Sequence, residues 1–226
     1  WLQPIQPYQA SYTDNQPIII TIAREYGSGG HLLGKMLAER LNIKFYDKEL
    51  ISMVANDSHF SPKYIAENEQ KVSSNYLLSI ILQDYEAPIE KSLSSADTLF
   101  VSQSRVIRKI AKEQSCVIIG RCADYILKDF PKASIIKVFC YTDMEDASKR
   151  CKTEYHIATE SVETEIKQIN HSRINHYQYY TNQKWGDPHN YDLMINTGNM
   201  TLTMACDIIA HLYQNKMSNQ TIKKNE

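Results

Sequence analysis

Ile22-Ala23-Arg24-Glu25-Tyr26-Gly27-Ser28-Gly29-Gly30-His31 is the stretch with the residue types and spacing best suited to chemistry. Gly27, Gly29 and Gly30 let the backbone take positive φ and approach a ligand closely. The N–H groups of such a loop, with those of a helix start, form an anion nest whose obvious guest is a polyphosphate. A tight strand–helix turn with no ligand uses the same residues. The common phosphate-loop spacing GxxxxGK[ST] is not met: Gly29, Gly34 and Lys35 satisfy its first part, but Met36 follows and Lys35 lies more than a turn into the helix. In the better register Gly30 stands where the phosphate-binding Lys belongs, and His31 where the Mg²⁺-binding hydroxyl belongs. Arg24 is the nearest cation that could compensate. His31 could donate to a phosphate or be an ordinary first-turn residue.

Other residues could act with this loop. Asp47 follows a short strand and could orient an acceptor, a Mg²⁺ water or a neighbouring Arg; as an N-cap it would serve the next helix. Arg150, at the end of a helix, could contact a phosphate donor or offset the helix dipole. Arg121 follows a strand and a glycine, where ligands meet parallel sheets, and its planar guanidinium suits a phosphate or a base edge; it could equally cap the sheet end. His59, His156, His171, His176, His189 and His211 show no metal-ligand spacing. Cys122 beside Arg121 is not needed as a nucleophile for phosphoryl transfer. The aromatic run Tyr177, Tyr179, Tyr180 and Trp185 reads better as packing of a helix on the sheet than as base stacking.

The elements that must position these groups alternate. Short β-branched apolar runs at 18–23, 116–119, 134–141 and 191–196, with a weaker one at 43–46, suit strands buried on both faces. Helical patterns occupy 31–41, 96–113, 142–151, 160–180 and 201–215. Strands alternating with helices imply βαβ units and a parallel sheet covered on both faces. Residues 1–16 and 216–226 read as flexible tails around one domain at 17–215.

The totals agree. A chain of 226 residues can bury a core of its own. Its formal charge of −1 gives no general pull towards nucleic acid or anionic membrane. The five cysteines are scattered, and their odd number and lack of CxxC spacing argue against a disulfide framework or structural zinc. A reducing, cytoplasmic compartment is expected. No apolar run approaches the ~20 residues of a membrane span, and residues 1–16 hold no signal-peptide core.

Beyond the loop, the chain resembles the cytidylate kinase-like family, a branch of the nucleoside monophosphate kinases. Ile20-Thr21-Ile22-Ala23-Arg24-Glu25-Tyr26-Gly27-Ser28-Gly29-Gly30 is similar to that family's variant phosphate loop, which also lacks the usual Lys. Phe45-Tyr46-Asp47 looks like its strand end entering the acceptor region, and Val117-Ile118-Ile119-Gly120-Arg121-Cys122-Ala123-Asp124-Tyr125-Ile126-Leu127 like its strand-Gly-Arg segment. Trp185-Gly186-Asp187-Pro188, leading into Tyr191-Asp192-Leu193-Met194-Ile195-Asn196-Thr197-Gly198, resembles its last strand.

The resemblance covers residues 18–212. It implies an α/β P-loop kinase-type three-layer fold with a five-stranded parallel sheet, an acceptor-binding helical insertion at about 48–115 and a lid at about 150–180. It also implies ATP with Mg²⁺ as donor and a nucleoside monophosphate, CMP or dCMP, as acceptor. Gly27, Ser28, Gly29, Gly30, His31 and Arg150 would hold the donor, with no metal ligand assigned. Asp47, Arg121, Asn170 and Arg173 would hold the acceptor, and Arg24, Arg121 and Arg173 would neutralise the transferring charge. Arg173 looks like the last residue of the acid-x-x-Arg element of nucleotide kinase lids; Asn170 stands in the acid's place, and its amide can still hydrogen-bond. Arg173 on a solvated helix face is the plainer alternative. Lys167 is a weaker candidate on the same helix. Rival readings are a kinase of another small acceptor, a nucleotide-binding regulator without catalysis, and a domain that binds no nucleotide.

Overall fold

The computed structural model describes residues 16–57, 60–68, 95–157 and 161–222. Residues 1–15 and 223–226 of the expected tails lie outside the described residues. So do 58–59 and 69–94 of the expected insertion and 158–160 of the expected lid.

Five parallel strands form one sheet in the order β2-β3-β1-β4-β5. They are β1 (Ile18–Arg24), β2 (Lys44–Tyr46), β3 (Cys116–Ile119), β4 (Ser134–Tyr141) and β5 (Leu193–Asn196). The central β1 explains its own composition. Side chains alternate along a strand, so Ile19 enters the core on one face while Ile18, Ile20 and Ile22 enter the other. Both faces are covered, and an unbroken apolar run follows. β3 divides in the same way, Cys116 and Ile118 to one side, Val117 and Ile119 to the other.

One face is covered by α1 (Gly30–Leu41) and the last helix, α8 (Leu202–Ile222). Leu33, Leu37 and Ala38 of α1 pack with Ala205, Cys206, Ile209 and Ala210 of α8, and Arg40 and Asp207 tie the two helices by an ion pair. The opposite face carries α2 (Glu49–Asp57), α3 (Pro62–Asn68), α4 (Ser95–Glu113) and the short α5 (Ala123–Ile126). After β4 come α6 (Met144–Thr153), capped by Asp143 accepting from the Asp146 N–H at 2.9 Å, and the long α7 (Val162–Thr181).

Two expectations change. The segment 216–222, expected as tail, continues α8. Lys216 Nζ donates to the Ile135 carbonyl at 2.8 Å, and Met217 packs on the core. The expected insertion is not wholly an appendage either. α4 supplies Leu99, Phe100, Val106, Ile107 and Ile110 to the main core, so it is a layer of the sheet's own sandwich. All five cysteines are buried and unpaired by disulfides, and burial pushes each thiol pKa up, Cys116 and Cys140 to about 12. They act as small apolar residues. Among the described residues no helix is long and apolar enough to cross a membrane.

Gly34 lets α1 lie close to the sheet. A Cβ there would come within 2.6 Å of Ile119 Cδ1, 3.2 Å of Phe45 Cε2 and 3.3 Å of Ile22 Cδ1. Gly34→Val is expected to lower unfolding free energy by about 1–3 kcal/mol through overpacking. Urea denaturation followed by circular dichroism checks this; an unchanged midpoint would contradict the close approach.

Candidate functional site

The glycine loop leaves β1 at Arg24 and enters α1 at Gly30. Gly27 and Gly29 take φ of +83° and +77°, which side chains disfavour. Space forbids a side chain at Gly27 as well, because a Cβ would sit 2.8 Å from the Ala147 Cβ of α6. Residues 27–30 are buried. Their polar groups are tied back in one direction. The Ser28 hydroxyl donates to the Glu25 carbonyl at 2.9 Å, and the Ser28 carbonyl accepts from Thr197 Oγ1 at 2.6 Å. Arg150 Nη1 donates to the Gly27 carbonyl at 2.7 Å, and its Nη2 reaches the Thr197 carbonyl at 3.4 Å. With these carbonyls engaged elsewhere, their repulsion of an anion is reduced. Gly29 caps α1 with no side-chain hydrogen bond, so no capping side chain competes for the N–H groups of the first turn. Arg150 thus serves the loop's shape rather than only a helix end, and Lys35 is exposed on α1 away from this geometry.

The space that a side chain at residue 30 would need is occupied. A Cβ at Gly30 would lie 2.7 Å from the Arg24 Cβ and 3.2 Å from the Arg24 Cγ. The Arg24 stem therefore crosses the space above residue 30. Its guanidinium continues over Gly120, where a Cβ would collide with Arg24 Nη1. Gly120 has φ +64°, and Arg121 and Cys122 follow at +55° and +53°. Left-handed non-glycine residues cost about 1–2 kcal/mol each, and such strain gathers at functional sites. The turn stops β3 at once, with the Ala123 N–H closing on the Gly120 carbonyl at 3.0 Å.

Arg24, Arg121 and Arg173 meet at a cavity of about 50 Å³, whose walls include Asp124, His176, Tyr177 and Trp185. Three elements deliver the three guanidiniums: the end of β1, the turn after β3 and the middle of α7. Arg121 Nη1 donates to Asp47 Oδ1 at 2.8 Å and to the Ile119 carbonyl at 3.2 Å, so it caps the sheet end and enters the cavity at once. Asp47 spends its side chain on Arg121 and on His31, whose Nε2 lies 3.2 Å from Oδ2. Its role as a side-chain N-cap is not realised; the Asp47 backbone carbonyl accepts from Leu50 instead. Burial would raise the Asp47 pKa, but the hydrogen bond and charge of Arg121, with the charges of Arg24 and His31, hold it below the usual carboxylate value. His31 is drawn to Asp47 and stands edge-on to Phe45 at 5.5 Å.

Two acceptor candidates on α7 turn instead to the loop. Asn170 Oδ1 accepts from the Tyr26 N–H at 2.8 Å, and Arg173 Nη1 donates to the Arg24 carbonyl at 2.8 Å. Arg173 still lines the cavity, whereas the Asn170 carbonyl oxygen is engaged by protein.

Sequence reasoning passed over Asp124. Tyr177 Oη donates to Asp124 Oδ2 at 2.7 Å. Burial pushes the Asp124 pKa up, against the hydrogen bonds of Tyr177 and nearby backbone N–H groups and the charge of Lys137. The available signal was an acid amid Ala123, Ile126 and Leu127. Glu25 was also missed. Burial raises its pKa, opposed by the Thr142 N–H at 3.3 Å. Tyr177 and Tyr180 do pack α7 on the core, Tyr180 stacking on Phe100 at 3.9 Å.

The loop's glycine conformations and uncapped helix start fit a phosphate chain. A protein-built Mg²⁺ cage does not fit: among the described residues no group of three or more His, Cys, Asp or Glu could hold a metal. Mg²⁺ at nucleotide sites draws most ligands from phosphates and water, so a nucleotide-borne ion asks less of the protein.

A family model described as the cytidylate kinase-like family matches residues 19–199. The crystal structure of an uncharacterized protein from Eubacterium ventriosum ATCC 27560 is similar at 32% identity, with a TM-score of 0.63, covering 86% of this chain and 97% of that one. A gluconokinase from Sinorhizobium meliloti 1021 shares the fold at 13% identity and a TM-score of 0.50, covering 91% and 98%. A shikimate kinase from Acinetobacter baumannii, solved with shikimate, matches at 15% identity and a TM-score of 0.47, covering 89% and 94%. No curated protein matches this chain.

The Arg24–Gly120 contact predicts coupling. Gly120→Ala should cost about 1–3 kcal/mol by strain and displacement, and less in an Arg24→Ala background; a double-mutant cycle showing additive costs would contradict the contact. The Asp47 pKa predicts an acid effect. A depressed folded-state pKa adds stability above the unfolded value of about 3.9, lost as pH falls through the folded value. The stability difference between wild type and Asp47→Asn should therefore shrink from pH 5 towards about pH 2; a difference independent of pH would refute it.

Proposed function

We propose an ATP-dependent phosphoryl-transfer function for this chain, which belongs to the cytidylate kinase-like family, with a nucleoside monophosphate, CMP or dCMP, as the acceptor. The products would be ADP and the nucleoside diphosphate. The observation that carries the reading is the convergence of Arg24, Arg121 and Arg173 on one cavity beside the glycine loop. Phosphoryl transfer needs positioning and charge neutralisation more than covalent chemistry. The loop N–H groups would hold the donor's phosphates. Arg24, reaching across from β1, would take the place of the missing loop lysine. Arg121, oriented by Asp47, would hold the acceptor's phosphate. Arg173 would stabilise charge between the two. Mg²⁺, when bound, supplies further neutralisation across the donor phosphates.

A second reading keeps the reaction class and changes the acceptor. The cluster of guanidiniums lining the cavity would suit a small anionic acceptor other than a nucleotide equally well. A third, a nucleotide-binding regulator without catalysis, draws support from Gly30 in place of lysine.

An ADP-release assay with nucleoside monophosphates, sugars and small acids as acceptors, run beside thermal shifts with ATP, separates the three. CMP or dCMP is expected to give the highest kcat/KM. ATP-dependent stabilisation with no transfer to any acceptor would overturn the kinase readings. Arg24→Ala and Arg173→Ala should each lower turnover about 10²–10³-fold with cooperative unfolding retained. Arg121→Ala should lower turnover too and also cost about 1–3 kcal/mol of stability, because Asp47 loses its main partner. Near wild-type rates in all three would defeat the assignment.

A further inference from the structure

The face of α7 that meets the rest of the molecule has an unusual order. Val162 and Ile166 pack with Ala147 and Cys151 of α6. At the other end Tyr177 and Tyr180 are buried in the main core. Asn170 and Arg173 lie between, at the helical spacing that continues this stripe. A polar break in a buried stripe needs partners, and the partners are backbone atoms of the glycine loop. Asn170 accepts from the N–H of Tyr26, and Arg173 donates to the carbonyl of Arg24, both at 2.8 Å. The two bonds fall on either side of Glu25. The Arg173 guanidinium also stands 5.7 Å from the Tyr26 ring centroid. Below the same turn, Ala147 fills the space against Gly27 and Arg150 holds the Gly27 carbonyl.

We propose that Asn170 is a positioning residue for the phosphate-binding loop: with Arg173 it clasps the backbone at 24–26 and sets the loop's conformation, and it does not contact the acceptor. This assigns Asn170 a different task from the acceptor contact that its place in the sequence implies. The chemistry is specific. An amide or carboxylate oxygen at 170 can accept from the Tyr26 N–H; an apolar side chain of similar size leaves that N–H without its partner. α7 is anchored by packing at both ends, so the clasp acts from a fixed support.

The inference rests on the phosphoryl-transfer reading, and its test separates the two. Asn170→Leu and Asn170→Asp are compared with wild type by hydrogen exchange at the Tyr26 amide, by ATP titration calorimetry, and by KM for donor and acceptor. Asn170→Leu should speed Tyr26 exchange and weaken ATP binding, each about 10-fold, with the acceptor KM unchanged. Asn170→Asp should restore both. Wild-type protection of Tyr26 in Asn170→Leu would overturn the clasp. A raised acceptor KM with unchanged ATP affinity would overturn the positioning role and return Asn170 to the acceptor. Should the wild-type protein neither bind ATP nor transfer phosphate, the function proposed above fails, and the exchange experiment alone decides the clasp. Protection in wild type and Asn170→Asp but not Asn170→Leu supports it; equal protection in all three rejects it.

Discussion

The path of one side chain constrains the top of this molecule. Arg24 leaves the last position of the central strand, passes over Gly30 and lays its guanidinium on Gly120. Neither glycine can gain a side chain without displacing it. A lysine at residue 30, where phosphate loops usually carry one, would meet this stem, and in the function proposed above Arg24 supplies the cation from the strand. The same path brings Arg24 to the cavity shared with Arg121 and Arg173. A parallel sheet makes this possible, because β1 and β3 end side by side, with Ile22 paired to Ile119 one step before the turn.

Concentrating guanidiniums in a half-buried site costs desolvation and mutual repulsion, so fixed counter-charges matter. Asp47 answers part of that need. It stands between Arg121 and His31 and keeps its charge in spite of burial. Asp124 behaves oppositely. Its burial favours the neutral acid, and Tyr177 fixes its orientation. Two carboxyls near the cavity thus have pKa values displaced in opposite directions, Asp47 downward and Asp124 upward.

The loop and its surroundings form one mechanical unit. Thr197, after β5, holds the Ser28 carbonyl. Arg150 of α6 holds that of Gly27, and α7 holds the backbone on both sides of Glu25. Three separate elements thus fix a turn of positive-φ glycines that has little conformational preference of its own. Preorganised amide dipoles of this kind stabilise developing negative charge without reorganising during the reaction.

From sequence alone, the strand runs, their alternation with helices and the glycine loop were legible, because burial on both faces leaves a continuous apolar signature and tight turns demand glycine. Arg24, singled out as the cation nearest the loop, and Arg121, by its place after a strand and a glycine, both line the cavity, and Asp47 pairs with a neighbouring Arg, one of its alternatives. The helix end at Ile222 was not legible: the Lys/Asn-rich residues 216–226 read as fraying, and what extends the helix is contact with β4 and the core. Nor was the task of Asn170, since an amide on a polar helix carries no mark of whether it faces solvent, substrate or backbone. Gly30 read as a lost lysine, and only the fold revealed the arginine stem lying over it. Local pattern determines which segments are strands and turns, since it acts through backbone conformation and burial periodicity. Which side chains meet across distances of more than a hundred residues is decided by tertiary packing, as for Asn170 with Tyr26 and Arg173 with Arg24.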